Sequence, residues 1–208
     1  YNSNPIISNV TIDDNEANDD GGGIYSLDSN PILDSVIIIN NHSYENGGGA
    51  HIYNCNGSIN NSTISNNLSG YRGGGIHIMG TPNEFNLANV IISNNQLNNN
   101  GTNEGGGIYC RSSEVDMINV IIDGNIADKG SGIYLEDDSF IELENGEINN
   151  NTRTNYNRSG GGFGIYCVGS SIKLFNVDIL DNSCGSCTGD NNLGGGVYLY
   201  NNSTSAVF

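Results

Sequence analysis

Seven ring-bearing residues recur at matched places in this chain: Tyr25, His51, His77, Tyr109, Tyr134, Tyr166 and Tyr198. Each follows a glycine cluster and one aliphatic residue, at steps of 25 to 32 residues. Such a row can act in two ways. Exposed ring faces stack on sugars, covering C–H surface while the hydroxyls stay wet. Alternatively the rings stack on one another and only stabilise the sheet that carries them. The first reading makes all seven candidate ligand contacts. His51 and His77 are neighbours in the row. At a strand spacing of about 5 Å they could share a metal ion, but no Cys or carboxylate is placed to complete four ligands. A weak acid sensitivity follows more directly, because two protonated imidazoles repel.

The carboxylates offer other chemistry. The chain carries 23 acidic and 6 basic residues, for a formal charge of -17. That excludes the basic stripe on which nucleic-acid binding depends, and it repels acidic polysaccharides unless divalent cations bridge them. Acidic pairs stand at Asp13-Asp14, Asp19-Asp20 and Asp137-Asp138. Asp19 and Asp20, beside Glu45 of the next repeat, are the candidate Ca²⁺ ligands, since Ca²⁺ takes several oxygens at a turn. The other reading is solvated surface acids. No further cofactor is expected. Hydrolysis of glycosides needs facing carboxylates, and lyase chemistry needs a base. Asp13-Asp14 and Asp137-Asp138 lie too far apart to cooperate, and Arg72, Arg111, Lys129 and Lys173 are scattered. No catalytic residues are assigned, and a non-enzyme is expected.

Five cysteines argue against a full disulfide framework. Cys184 and Cys187 form a Cys-x-x-Cys, read as a local disulfide pinning a long loop; a reduced pair or half a metal site are the alternatives. Cys110 and Cys167 read as buried small hydrophobes. Asn-x-Ser/Thr triplets at Asn56, Asn60, Asn100, Asn150 and Asn157 are candidate glycosylation sites if they lie on exposed corners.

The elements that position these residues are repeats. Gly21-Gly22-Gly23-Ile24-Tyr25 returns near Gly49, Gly75, Gly107, Gly132, Gly164 and Gly196. A second phrase runs in phase: alternating inward residues such as Val36/Ile38 or Val90/Ile92, ending on Asn15, Asn41, Asn67, Asn95, Asn125, Asn151 and Asn182. Only 36% of the chain is hydrophobic. Without the repeat that would read as disorder; with it, a few apolar residues at fixed positions stack into a continuous core. Glycine corners and period-2 alternation exclude helices, and the repeat is too short for a propeller blade of about 40–45 residues. The expected fold is all-β: a right-handed parallel β-helix, three-faced, of about seven coils. At a rung spacing of about 4.8 Å the rod is on the order of 34 Å long. Stacked Asn side chains are expected to bond coil to coil.

Residues 1–208 read as a single β-helix domain without clear end caps. The phrasing starts and stops in mid-repeat, so a piece of a longer solenoid, or a subunit stacking end to end on itself, is expected. Three long corners, at 95–107, 151–164 and 182–196, fall on one edge; Arg153 and Arg158 lie there, and insertions on one face often bind partners.

The pairing of Gly-Gly-Gly-Ile with Ile-x-x-Asn, as at Ile12-Asp13-Asp14-Asn15, resembles the repeats of chlamydial polymorphic outer membrane proteins. It is also similar to the pectin-lyase-like β-helix repeats of bacterial surface proteins. The likeness covers essentially the whole chain, with Gly in place of the usual Ala and Ile in place of Phe. It implies an extracellular or cell-surface protein with a structural role as fibre, stalk or adhesin segment. Partners would be the protein itself or surface glycans, with no membrane span in this chain. A glycan-binding module or a polysaccharide-degrading enzyme on the same scaffold is the alternative.

Overall fold

Corners come first, because they set where each strand can begin. The computed structural model describes residues 3–81, 84–98, 103–153, 160–185, 192–201 and 206–207. In the coil of residues 21–46 the backbone turns at Gly21, Asp28, Ser35 and Asn40, with φ of 70°, 50°, 56° and 57°. Left-handed backbone is open to Gly and tolerable for Asn and Asp, and strained for most other residues. The abundance of Gly and Asn therefore serves the corners. Between them lie Ile24–Leu27, Ile32–Asp34, Ile37–Ile39 and His42–Ser43. In later coils one strand, such as Glu84–Ser93, runs straight through the bend at Asn89 (φ 56°).

Every pairing between these strands is parallel, each coil on the next. The strands after the glycines form a seven-stranded sheet from Ile24–Leu27 to Val197–Tyr200, and a ten-stranded sheet forms the other two faces. The three-faced β-solenoid expected from the repeat is what the chain forms. Its seven glycine phrases delimit six full turns, one fewer than the number of phrases. A further four-stranded ladder, from Glu16–Ala17 to Gln96–Leu97, occupies what the sequence reads as variable linker.

Like residues sit on like residues. Ile24 pairs with Ala50, Ala50 with Ile76 and Ile76 with Ile108. The inward residues from Ala50 to Ile165 on this face are fully buried and belong to one core cluster. Each Ile or Leu among them contributes roughly 1.5–3 kcal/mol through burial. Two inward positions that are not aliphatic have local reasons. The Ser62 hydroxyl accepts the Val36 N–H at 3.1 Å. At Gly146 the space is taken by Leu143, whose side chain would lie 2.8 Å from an added Cβ.

The inner Asn ladder is continuous. Each amide Nδ2 donates to the Oδ1 of the next: Asn15 to Asn41 at 2.9 Å, Asn67 to Asn95 at 2.9 Å, Asn125 to Asn151 at 3.0 Å and Asn151 to Asn182 at 2.9 Å. The same Oδ1 also accepts the backbone N–H of the coil before, as in Asn67 N to Asn95 Oδ1 at 3.0 Å. One side chain per coil thus satisfies a buried corner that strand pairing does not reach.

The ladder explains why the two sequence phrases stay in phase. A Cβ on Gly75, the third glycine of its cluster, would lie 2.7 Å from the Gly107 carbonyl oxygen and 2.9 Å from Asn95 Nδ2. The ladder Asn and the third glycine are in contact, so neither can shift alone. The middle glycine is the one that varies, to Ser131 and Phe163.

Candidate functional site

The ring residues stand on the outer face of the seven-stranded sheet, one per rung, because they alternate with the inward aliphatics. They form one column. His51 and His77 centroids are 4.5 Å apart, His77 and Tyr109 4.7 Å, Tyr109 and Tyr134 5.4 Å, and Tyr134 and Tyr166 5.0 Å. From His77 to Tyr166 the rings lie within 10° of parallel.

An exposed row does not result. Tyr25 is 50% exposed, whereas His51, His77, Tyr109 and Tyr134 are 4%, 3%, 0% and 4% exposed. Tyr166 and Tyr198 are partly buried. The rings cover one another, and two flanking rows cover their sides. One row precedes the glycines and runs Asn46, Arg72, Glu104, Lys129 by β-bridges. The other lies two residues past the rings and runs Tyr53, Met79, Arg111, Glu136. In the C-terminal half these rows close over the phenols. The Arg72 guanidinium lies 5.3 Å from the Tyr109 centroid and Lys129 Nζ lies 5.7 Å from that of Tyr166. Glu104 accepts from both, at 3.3 Å from Arg72 Nε and 3.2 Å from Lys129 Nζ. The Tyr109 hydroxyl donates to the Glu136 carboxylate. Burial first, and that carboxylate second, push the Tyr109 phenol far above its usual range.

In the N-terminal half the column is less complete. A cleft of about 190 Å³ opens over the two imidazoles, between Asp20, Asn46 and Arg72 on one side and Tyr53, Met79 and Arg111 on the other. Asp20 Oδ2 lies 3.4 Å from His51 Nδ1, while its Oδ1 accepts the Asn46 backbone N–H at 3.0 Å. Burial pushes the Asp20 carboxyl up, but His51 and the Asn46 donors outweigh it and hold the group below its usual value. Three nitrogens, both of His51 and Nδ1 of His77, are buried with no hydrogen-bond partner. Burial, then the neighbouring His51, hold the His77 pKa well below 6.5.

The remaining candidates disperse. Among the described residues no three His, Cys, Asp or Glu side chains gather as a metal site. Asp19, Asp20 and Glu45 are not brought together as the expected Ca²⁺ set: Asp20 turns to Asn46 and His51, and the Glu45 N–H bonds to the Asp19 carbonyl at 3.1 Å. Asp14, Asp137 and Asp138 have positive φ, so the other acidic pairs serve corners. Cys110 and Cys167 are fully buried, and burial pushes the Cys110 pKa up to about 12. Cys184 is disulfide-bonded, and its expected partner Cys187 lies outside the described residues.

Arg153, expected on an exposed loop edge, has a side chain 0% exposed and paired with Asp128 at 3.3 Å. Arg158, and the candidate glycosylation residues Asn100 and Asn157, lie outside the described residues. Asn150 is exposed, and Asn56 and Asn60 are partly so.

Sequence reasoning named the column but missed its flanks. Arg72, Arg111, Tyr53 and Asn46 were legible as register positions: immediately before the glycines, or two residues after the ring. Among the described residues no helix is long and apolar enough to cross a membrane.

The Chlamydia polymorphic membrane protein repeat model matches residues 9–27, the stretch that joins Val10/Ile12 and Asn15 to the first glycine cluster. That short match is a likeness to those repeats. No curated protein and no solved structure matches the chain. The model of the right-handed β-helix region matches residues 34–208. Stacked parallel coils, a continuous Asn ladder and that match together place the chain in the right-handed β-helix family.

Proposed function

We propose that this chain is a non-catalytic segment of an extracellular or cell-surface β-helix protein, acting as a fibre, stalk or adhesin body. The observation that carries the reading is where the polar side chains are spent. Glu104 bridges Arg72 and Lys129 from neighbouring coils, Asp128 holds Arg153, and the ladder Asn residues hold one another. These groups join coil to coil and do not face each other across a cleft, as a pair of catalytic carboxylates must. The repeat match at residues 9–27 supports placement at a surface.

Electron microscopy of the intact protein on and off the cell tests this. The expected result is a thin rod at the cell surface. Globular particles confined to the cell interior would overturn it. A reducing-end assay on neutral and acidic polysaccharides is expected to stay at background.

A further inference from the structure

We propose that the gap where His51 and His77 stand in place of tyrosine is a binding site for one neutral pyranose ring. The column explains the gap. At Tyr109 and Tyr134 the phenol reaches out to Glu136, and the flanking rows close over the rings. Imidazole is the smaller ring, and two consecutive imidazoles leave a cleft of about 190 Å³. That is below the ~300 Å³ of a typical drug-sized pocket, so it admits a single ring.

The chemistry around it fits a sugar. Tyr25 and Tyr53 are 50% and 38% exposed at the rim and offer ring surface to C–H faces. Arg72 and Arg111 donate, and Asp20 keeps acceptor capacity on a carboxylate with about four lone-pair sites. Neighbouring hydroxyls of a pyranose take both kinds of bond at once. The floor carries two buried nitrogens, His51 Nε2 and His77 Nδ1, with no hydrogen-bond partner, an unusual state for a native interior.

Charge selects a neutral ligand. Both cations at the rim are already compensated, Arg72 by Glu104 at 3.3 Å and Arg111 by Asp137 at 2.7 Å. The chain's charge of -17 repels a uronate. The proposal goes beyond the structural role above, since a stalk needs no sugar site.

Saturation-transfer NMR with methyl glycosides of neutral hexoses, and methyl glucuronide beside them, tests it on the whole chain. At least one neutral glycoside is expected to bind in the millimolar range. The double variant His51→Tyr/His77→Tyr completes the column as its neighbours do, and is expected to weaken binding at least ~10-fold while the melting curve stays cooperative. Tyr53→Ala, at the exposed rim, gives a second reading if the double variant does not fold, with the same loss expected. The proposal is overturned if no neutral glycoside shows transfer, if glucuronide alone binds, or if binding survives the variant that folds.

Discussion

Two files run along the rod, one all asparagine and the other asparagine except at Ser35, and they do different work. The inner file, Asn15 to Asn182, is buried from Asn41 to Asn151. The outer file occupies the left-handed bend before each inward pair, and Asn89, Asn119 and Asn176 each donate to the residue one coil earlier, at 3.0, 2.9 and 2.7 Å. These outer bonds are exposed. The same amide stacked at the same rung spacing is thus indispensable in one place and replaceable in the other. A buried donor or acceptor that loses its partner has no water to turn to, while an exposed one does.

Replacing one inner residue should have the largest effect. Asn95→Leu strips partners from Asn67 N and Nδ2, from the Ile64 carbonyl and from Asn125 Oδ1. A loss of at least about 3 kcal/mol is expected in urea unfolding. Gly75→Ala presses on the same corner from the other side. Its Cβ meets backbone of the next coil, and about 1–3 kcal/mol should be lost. Neither file titrates, so an acid response comes from elsewhere, and His77 in the ring column is one source. The His77 pKa is held well below 6.5 in the fold. Below about pH 6.5 the unfolded chain therefore binds a proton that the folded chain refuses. Stability is full above that pH and falls below it, by up to about 1.4 kcal/mol per pH unit. His77→Tyr should flatten this slope in melting curves taken from pH 7 to 5. The smallest effects belong to the outer file. Asn89→Ala should lose about 1 kcal/mol to left-handed strain, and Asn89→Gly only roughly a few tenths. If Asn89→Gly matched Asn95→Leu, the contrast between the files would fail.

Register is what the sequence carried best. Strand faces, inward files and the Asn ladder were legible because each repeats at a fixed offset from the glycines. Repetition averages out local ambiguity, and the same offset from the glycines places Ser62 and Gly146 inward as well. The ring column was legible as a row but not as buried. Its cover comes from residues such as Arg72 and Lys129, far off in sequence and brought over the rings by coil stacking alone. The surroundings of Asp20 were not legible for a related reason. Acidity shows in a sequence, but the direction in which Asp20 turns depends on Asn46 and His51 of the next coil. Arg153 read as a loop cation because its loop is long, while its pairing with Asp128 depends on depth.

Inter-coil bonds of the inner ladder join residues 26 to 34 positions apart and reach no further. Each turn therefore knows only the turn beneath it and the turn above. Closing the first loop carries the full entropic penalty, and every later one finds a template already laid. Assembly can then advance like a zip, keeping pace with a chain that arrives one end first. Whole repeats can be gained or lost without redesigning the rest, so length is the property such a molecule can change most easily.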